Sequence, residues 1–96
     1  MEHRIYKFPL RLTDKQIIKI QGFVRTLSVI NQPYGNVRTN LVLYVIVDIK
    51  DLMLIDVEVF IKGTGHYIDD VELRDFLGTV PADGFVWHVF VREEGV

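Results

Sequence analysis

Hydrophobic and polar residues alternate along most of the 96-residue chain, and branched and aromatic side chains are frequent. A period of two with these residue types is typical of β-strands. The pattern predicts seven strands, at residues 4–12, 16–21, 24–31, 39–50, 54–61, 77–80 and 85–92. In the third of them, alternation sets Arg25, Leu27 and Val29 against Val24, Thr26, Ser28 and Ile30 on the opposite face.

The predicted strand at 39–50 is apolar on both faces. One face carries Leu41, Leu43, Val45, Val47 and Ile49, and the other carries Val42, Tyr44 and Ile46. A strand of this kind must be covered on two sides, either by a layer of the protein on each face or by a subunit interface on one of them. We therefore expect Val42, Tyr44 and Ile46, joined by Phe60 from a neighbouring strand, to form an oligomer interface.

The predicted strand at 54–61 has only one apolar face. Ile55, Val57, Val59 and Ile61 are expected to point inward, and Asp56, Glu58 and Lys62 largely outward. This one-sided pattern is typical of an antiparallel sheet with one face towards water.

Turn and helix signals separate the strands. Pro33, Tyr34 and Gly35 predict a turn, and Asp83-Gly84 predicts a hairpin between the last two strands. Asp69 has the spacing of a helix cap, which predicts a short α-helix at about residues 69–75. The predicted fold is mainly β: an antiparallel β-sandwich or partly closed barrel of about seven strands with that one helix.

The composition favours one self-associating domain. A chain of 96 residues is most simply a single domain, residues 1–96. Hydrophobic residues make up 49% of it, which is difficult to hide within so small a monomer. We therefore expect a homo-oligomer, a dimer or larger. There is no cysteine, so neither a disulfide nor a thiolate metal site is expected.

The distribution of apolar and charged residues argues against several protein classes. The longest apolar run, residues 41–47, is much shorter than the roughly 20 residues that cross a membrane, so no membrane partner is expected. Charges and a proline near the start do not fit a secretion signal. Basic residues are scattered and the formal net charge is −2, so nucleic acid is not an expected partner.

The stretch KGTGHYIDD, residues 62–70, carries the densest set of chemically active groups. It lacks the glycine spacing and following lysine of a phosphate-binding loop, and it lacks the third glycine of a dinucleotide fingerprint. Gly63 and Gly65 are therefore interpreted as a structural turn between a strand and the predicted helix. His66 is expected to hydrogen-bond locally, with general-base catalysis as the weaker alternative.

Candidate catalytic and metal-binding residues do not form a convincing set. His88, on an apolar strand face, is more typical of a hydrogen-bonded, partly buried residue than of a ligand. Together with His66 and Asp69 or Asp70 it has the donors for zinc, but the spacing does not indicate that they meet. Ser28 lacks the glycines of a nucleophile elbow. We predict no enzyme, no metal and no cofactor.

Exposed aromatic and arginine side chains are the best sign of a binding surface. Tyr34 and Arg38 are expected at a loop tip, where a ring and a guanidinium can grip a partner, although Tyr34 could instead cover the edge of the core. Arg25, Arg38, Tyr44 and His66 are the candidates for a pocket that holds a small nucleotide between subunits.

The order of several motifs resembles a family of small uncharacterised phage and prophage proteins. The resemblance spans nearly the whole chain, and Gly-Thr-Gly-His at 63–66 and Trp-His-Val-Phe at 87–90 are its most specific parts. Tyr67 departs from it, because members commonly have proline there. The resemblance implies a viral or prophage origin and a location in the host bacterial cytoplasm, and it supplies no catalytic residues.

Three functional hypotheses follow. The first is a non-enzymatic protein that binds and inhibits a host macromolecule, such as a defence component, through the Tyr34 loop. The second is an oligomeric sponge that sequesters a nucleotide signal. The third is a minor virion or assembly protein, which fits the apolar excess equally well.

Overall fold

The computed structural model of the protein describes residues 1–36, 39–69 and 75–93. Its strands are β1 (His3–Pro9), β2 (Lys15–Gln21), β3 (Phe23–Asn31), β4 (Leu41–Asp48), β5 (Leu54–Gly63), β6 (Asp75–Ala82) and β7 (Phe85–Glu93). The seven strands expected from the alternation are therefore confirmed, with shifted ends.

The strands form two antiparallel sheets. The first sheet has the order β1-β4-β3, and the second sheet has the order β2-β5-β7-β6. Their inner faces share one hydrophobic core, so the arrangement is sandwich-like, and the described strands do not form a closed barrel. The prediction of a mainly β sandwich is confirmed.

The predicted helix at about 69–75 falls mostly on residues 70–74, which lie outside the described residues. At its far end the prediction is wrong, because Asp75 is the first residue of β6. Helices are absent from residues 1–36, 39–69 and 75–93, so those ranges contain no helix long and apolar enough to cross a membrane.

The core lies between the central strands of the two sheets. The inward residues of β4 and β5 are almost completely buried, as their alternation predicts: Leu41, Leu43, Val45, Val47, Val57, Val59 and Ile61. Val89 and Val91 of β7 complete the centre of this core. Ile49, which was expected on the same face, lies beyond the end of β4 and is exposed.

The alternation predicted for β3 is wrong because the strand contains two bulges. Register shifts occur between Phe23 and Arg25 and between Thr26 and Ser28. Each bulge places an extra residue opposite a single partner residue, so the inward face moves by one position. Phe23, Thr26 and Val29 consequently pair with the buried residues of β4, and they face the core at intervals of three residues.

The charged residues of β5 point away from the core, but two of them are not exposed. Glu58 and Lys62 are only 1% and 6% accessible. Flanking side chains from β2 and β7 cover them: Glu58 pairs with Ile17 on one side and Arg92 on the other. An outward direction therefore did not imply exposure.

The hairpin predicted at Asp83-Gly84 is confirmed. Ala82 pairs with Phe85 across the turn, and both central residues have positive φ, 54° for Asp83 and 82° for Gly84. Two consecutive positive φ angles are the requirement of a type I′ turn, whose twist matches that of the flanking strands.

Candidate partner-binding groove

The outer face of the first sheet carries the apolar residues that were expected to form an oligomer interface. Val42, Tyr44 and Ile46 do lie together on this face of β4, but Val42 is only 4% exposed and the other two are half-buried. Lys7 of β1 and Ser28 of β3 flank Tyr44, and Ile5 and Arg25 flank Ile46 in the same way. The face is thus already partly covered by its own strands.

A groove opens at one end of this face, beside the turn at Pro33 and Tyr34. Its volume is about 440 Å³. The lining residues come from β1, the turn and the start of β4: Lys7, Pro9, Gln32, Pro33, Tyr34, Asn40 and Val42. Two prolines and an aromatic ring supply apolar contact, two amides supply donors and acceptors, and one ammonium supplies positive charge.

The base of the turn is held closed by hydrogen bonds. The backbone N–H of Gln32 donates to the Asn40 carbonyl (2.8 Å), and the Asn40 side chain donates to the Gln32 carbonyl (3.0 Å). The Tyr44 hydroxyl donates to Oε1 of Gln32, and Gly35 has a φ of 56°, which glycine adopts without strain. Tyr34 is 67% exposed, so its ring projects from a fixed base instead of covering the core edge.

The free side of β1 borders the groove. Leu10 N–H donates to the Leu41 carbonyl and Ile49 N–H donates to the Glu2 carbonyl, so the even-numbered residues face β4. Because alternate residues of a strand direct their backbone groups to opposite sides, the N–H and C=O groups of Ile5 and Lys7 point away from the sheet. Within the described residues β1 pairs with β4 alone.

Pro9 agrees with this arrangement, because it is another odd-numbered residue of β1 whose backbone groups point away from β4. Proline has no N–H, and at this position the missing group would point away from β4. The strand therefore loses no ladder hydrogen bond at Pro9, whose ring lines the groove instead.

The other residues proposed for binding do not converge on the groove. Arg25 is exposed on β3 opposite Ile46, towards the other end of the same face. Arg38 lies outside the described residues. His66 follows β5 and Phe60 belongs to β5, so both are on the second sheet; Phe60 is buried there and does not share a surface with Val42. The nucleotide sponge remains a prediction from the sequence.

The Gly63-Thr64-Gly65-His66 segment forms a tight turn. The His66 N–H donates to the Gly63 carbonyl (3.0 Å), and Gly65, the third residue of the turn, has a φ of 91° as a type II turn requires. The Gly63 N–H donates to Nδ1 of the imidazole (3.0 Å), which folds back against the turn. A Cβ on Gly63 would lie 3.0 Å from that ring, so glycine leaves space for it.

His88 is engaged on both sides of its ring. Nε2 lies 2.9 Å from the Thr64 hydroxyl and Nδ1 lies 3.0 Å from the Thr79 hydroxyl. It is half-buried on β7, as expected for a hydrogen-bonded strand histidine. No group of three or more His, Cys, Asp or Glu side chains in the described part of the chain is placed to hold a metal ion. Asp70, one of the candidate zinc ligands, lies outside that part.

Lys7, Pro9, Gln32 and Asn40 were not identified from the sequence as site residues. Lys7 and Asn40 are far apart in the chain and meet only because β1 pairs with β4. The one available signal was Pro9, since a proline at the end of a strand marks an edge.

The family to which the chain belongs can be stated on this structural background. A family model described as Domain of unknown function (DUF7352) matches residues 1–96. The chain is a member of this family. No curated protein and no solved structure matches it. DUF7352 carries no assigned activity, so a function for this member must be argued from the groove.

Proposed function

We propose that this DUF7352 protein is a non-enzymatic binding protein that holds an extended segment of another protein in the Tyr34 groove. The observation that carries the proposal is the exposed ring of Tyr34 above a groove with prolines, amides and one lysine in its wall. Grooves lined by aromatic and apolar groups with a few placed polar groups are typical of peptide recognition.

The free edge of β1 adds a second source of affinity. The backbone groups of Ile5 and Lys7 point outward beside the groove, where an extended chain can pair with them as an additional strand. The backbone pairing supplies affinity, and the groove selects side chains. The Lys7 ammonium has no carboxylate partner among the described residues, so an acidic side chain in the bound segment is favoured.

The partner class follows from the resemblance of the Gly-Thr-Gly-His and Trp-His-Val-Phe segments to small phage and prophage proteins. A bacterial-virus protein without catalytic groups can act by occupying a host macromolecule, and we propose a host protein, such as a defence component, as the target. Both ring nitrogens of His88 contact threonine hydroxyls within the protein, which fits the structural role expected for this residue.

A peptide-display experiment tests the groove while the partner is still unidentified. A library of random peptides is selected on the wild-type protein, and the enriched peptides are titrated by calorimetry against wild type, Tyr34→Ala and Tyr67→Ala. Tyr67 is a matched control because its side chain is 80% exposed and it does not line the groove. We expect Tyr34→Ala to weaken binding by about 10- to 100-fold and Tyr67→Ala to leave it unchanged.

The result that would overturn the proposal is a folded Tyr34→Ala variant that binds the selected peptides as wild type does, or a library that yields no binder. Lys7→Glu makes the test more specific, because reversing this charge should weaken the binding of acidic peptides more than that of other peptides. A host protein that is captured by wild type and by Tyr67→Ala, and is lost with Tyr34→Ala, then identifies the target.

A further inference from the structure

A run of exposed apolar residues lies at the other end of β4, away from the groove. The connection between β4 and β5 presents Leu52 and Met53, which are 77% and 64% exposed, and β5 begins with Leu54, which is 57% exposed; Ile49 beside them is also exposed. We name these four residues the apolar tip. Consecutive exposed side chains of this size are unusual on a soluble surface and mark interaction sites.

The backbone of the apolar tip is firmly held. Met53 accepts a hydrogen bond from the Gly22 N–H at its carbonyl (2.9 Å) and donates its own N–H to Oδ1 of Asp51 (2.9 Å). Oδ1 of Asp48 accepts from the Lys50 N–H (3.0 Å), and the Asp48 carbonyl accepts from the Asp51 N–H (3.1 Å). A segment that is already ordered loses less conformational entropy on binding, so its apolar side chains are displayed in a preorganised form.

A cavity of about 190 Å³ lies beside the apolar tip. Tyr6, Val47 and Ile49 supply its apolar wall, and Gln21, Asp48 and Asp51 supply its polar wall. Projecting side chains and a cavity therefore occur on one continuous patch. This combination suits a two-fold interface, which is self-complementary, because each copy then offers both a group that inserts and a site that receives it.

The charges around the apolar tip are of both signs. Arg4 and Glu2 form an ion pair (3.0 Å), and Lys50 and Asp51 are exposed next to the apolar side chains. Two copies of such a rim can place a cation of one against an anion of the other, whereas a surface of a single sign would repel itself. The three acidic groups Glu2, Asp48 and Asp51 make an anionic membrane a poor match.

We propose that the occupant of the apolar tip is a second copy of this chain, in a two-fold dimer in which Leu52 and Met53 of each copy pack into the other copy's cavity. The dimer accounts for the apolar excess of the composition. It uses a different surface from the interface predicted at Val42, Tyr44 and Ile46, which are already partly covered by their own strands. It also leaves the Tyr34 groove free at the opposite end of β4, so the two proposals can fail independently.

Sedimentation velocity of the full chain over a range of micromolar concentrations tests the dimer. We expect a species of twice the 11.2 kDa chain mass for wild type and for the control Tyr67→Ser. The double variant Leu52→Ser, Met53→Ser should dimerise on the order of 100-fold more weakly, with an unchanged far-ultraviolet circular dichroism spectrum. Its backbone hydrogen bonds do not involve the altered side chains, so it should fold.

Cysteine cross-linking gives a second measurement. The chain has no cysteine of its own, so Leu52→Cys and Tyr67→Cys each introduce a single thiol. With a short bis-maleimide cross-linker, Leu52→Cys should form a covalent dimer, whereas Tyr67→Cys should form no covalent link between the copies. A wild-type protein that is monomeric at every concentration overturns the proposal, as does a double serine variant that dimerises as tightly as wild type.

Discussion

The outer faces of the two sheets cover their central strands in different ways. On the first sheet, Tyr44 of β4 lies between Lys7 and Ser28, and its hydroxyl bonds to Gln32. On the second sheet, Glu58 of β5 receives two contacts from Arg92 (2.8 and 3.0 Å) and one from Lys15 (3.3 Å). Each central strand is partly buried on its outer face, by a mixture of polar and apolar side chains on the first sheet and by ion pairs around Glu58 on the second.

The difference indicates which face is available to a partner. On the second sheet the charges already neutralise one another, and the Lys15 ammonium also lies 5.7 Å from the centre of the Phe60 ring. On the first sheet Lys7 and Arg25 are exposed without a carboxylate partner among the described residues, and the groove opens beside Lys7. A partner therefore gains more from the first face, where no existing ion pair must be broken.

The largest effect is expected at Gly22, where the chain passes from β2 of the second sheet to β3 of the first. Its φ is 70°, and a Cβ there would lie 2.1 Å from the Asp48 carbonyl oxygen. Gly22→Ala should lower the free energy of unfolding by more than about 3 kcal/mol, because the positive φ alone costs about 1–2 kcal/mol and the backbone must also move. Urea denaturation provides the measurement.

Gly65→Ala is the matched control for that variant. Gly65 also has a positive φ, 91°, but a Cβ there would meet nothing within 4 Å. Gly65→Ala should lower the free energy of unfolding by only about 1–2 kcal/mol, which is the cost of the positive φ. Equal losses of stability for the two variants would show that the close approach of Gly22 to the Asp48 carbonyl of β4 adds nothing to the cost of the positive φ.

The next largest effect is expected at Glu58 in the centre of the second face. Glu58→Ala leaves Arg92 and Lys15 without this carboxylate, and we expect a loss of about 3 kcal/mol, at the low end for a buried ion pair since both cations keep some contact with water. Asp56 lies on the same strand as Glu58, and Asp56→Ala removes its exposed ion pair with Lys19 of β2. This change should lower the free energy of unfolding by less than about 1 kcal/mol. Chemical denaturation of both variants compares them, and similar costs would contradict the conclusion that buried ion pairs around Glu58 hold the outer face of the second sheet.

The smallest effect is expected at Asp48, at the end of the first face. Hydrogen bonds from the backbone N–H groups of Lys50 and then Glu2 hold the pKa of its carboxyl below the ordinary value. The folded protein therefore binds this proton less readily than the unfolded chain. The stabilisation that the Asp48 carboxylate gives to the folded state is present above an ordinary carboxyl pKa of about 4 and is lost as the pH falls further.

The melting temperature of Asp48→Asn should therefore fall less steeply with acid than that of wild type. The slopes of the two pH profiles should differ only below about pH 4. Thermal unfolding monitored by circular dichroism across the acid range measures it. Identical pH profiles for the two proteins would show that Asp48 does not contribute through its charge.

Much of the fold could be predicted from local patterns, and the exceptions have physical causes. The inward faces of β4 and β5 and the hairpin at Asp83-Gly84 follow from period-two alternation and from residues that tolerate positive φ. The predicted inward face of β3 was wrong, because a bulge shifts the period-two alternation and cannot be recognised from the residue types. Phe60 was expected beside Val42 because sequence order does not state which strands share a sheet.

The candidate site was predictable only at Tyr34, where proline and glycine mark an exposed turn. Lys7, Pro9 and Asn40 reach the groove through the pairing of β1 with β4, and this contact joins residues that are distant in the chain. The same applies to the apolar tip, since the sequence does not state that Leu52, Met53 and Leu54 are left exposed by the other strands.

By itself the sequence determined that the protein is a β protein of seven strands with an apolar interior, because side-chain alternation is a property of the strand alone. The tertiary structure decided which strands share a sheet, which outward charges are buried and where the remaining apolar surface gathers. Those outcomes depend on long-range pairing, in which the neighbours of a side chain come from strands far away in the chain.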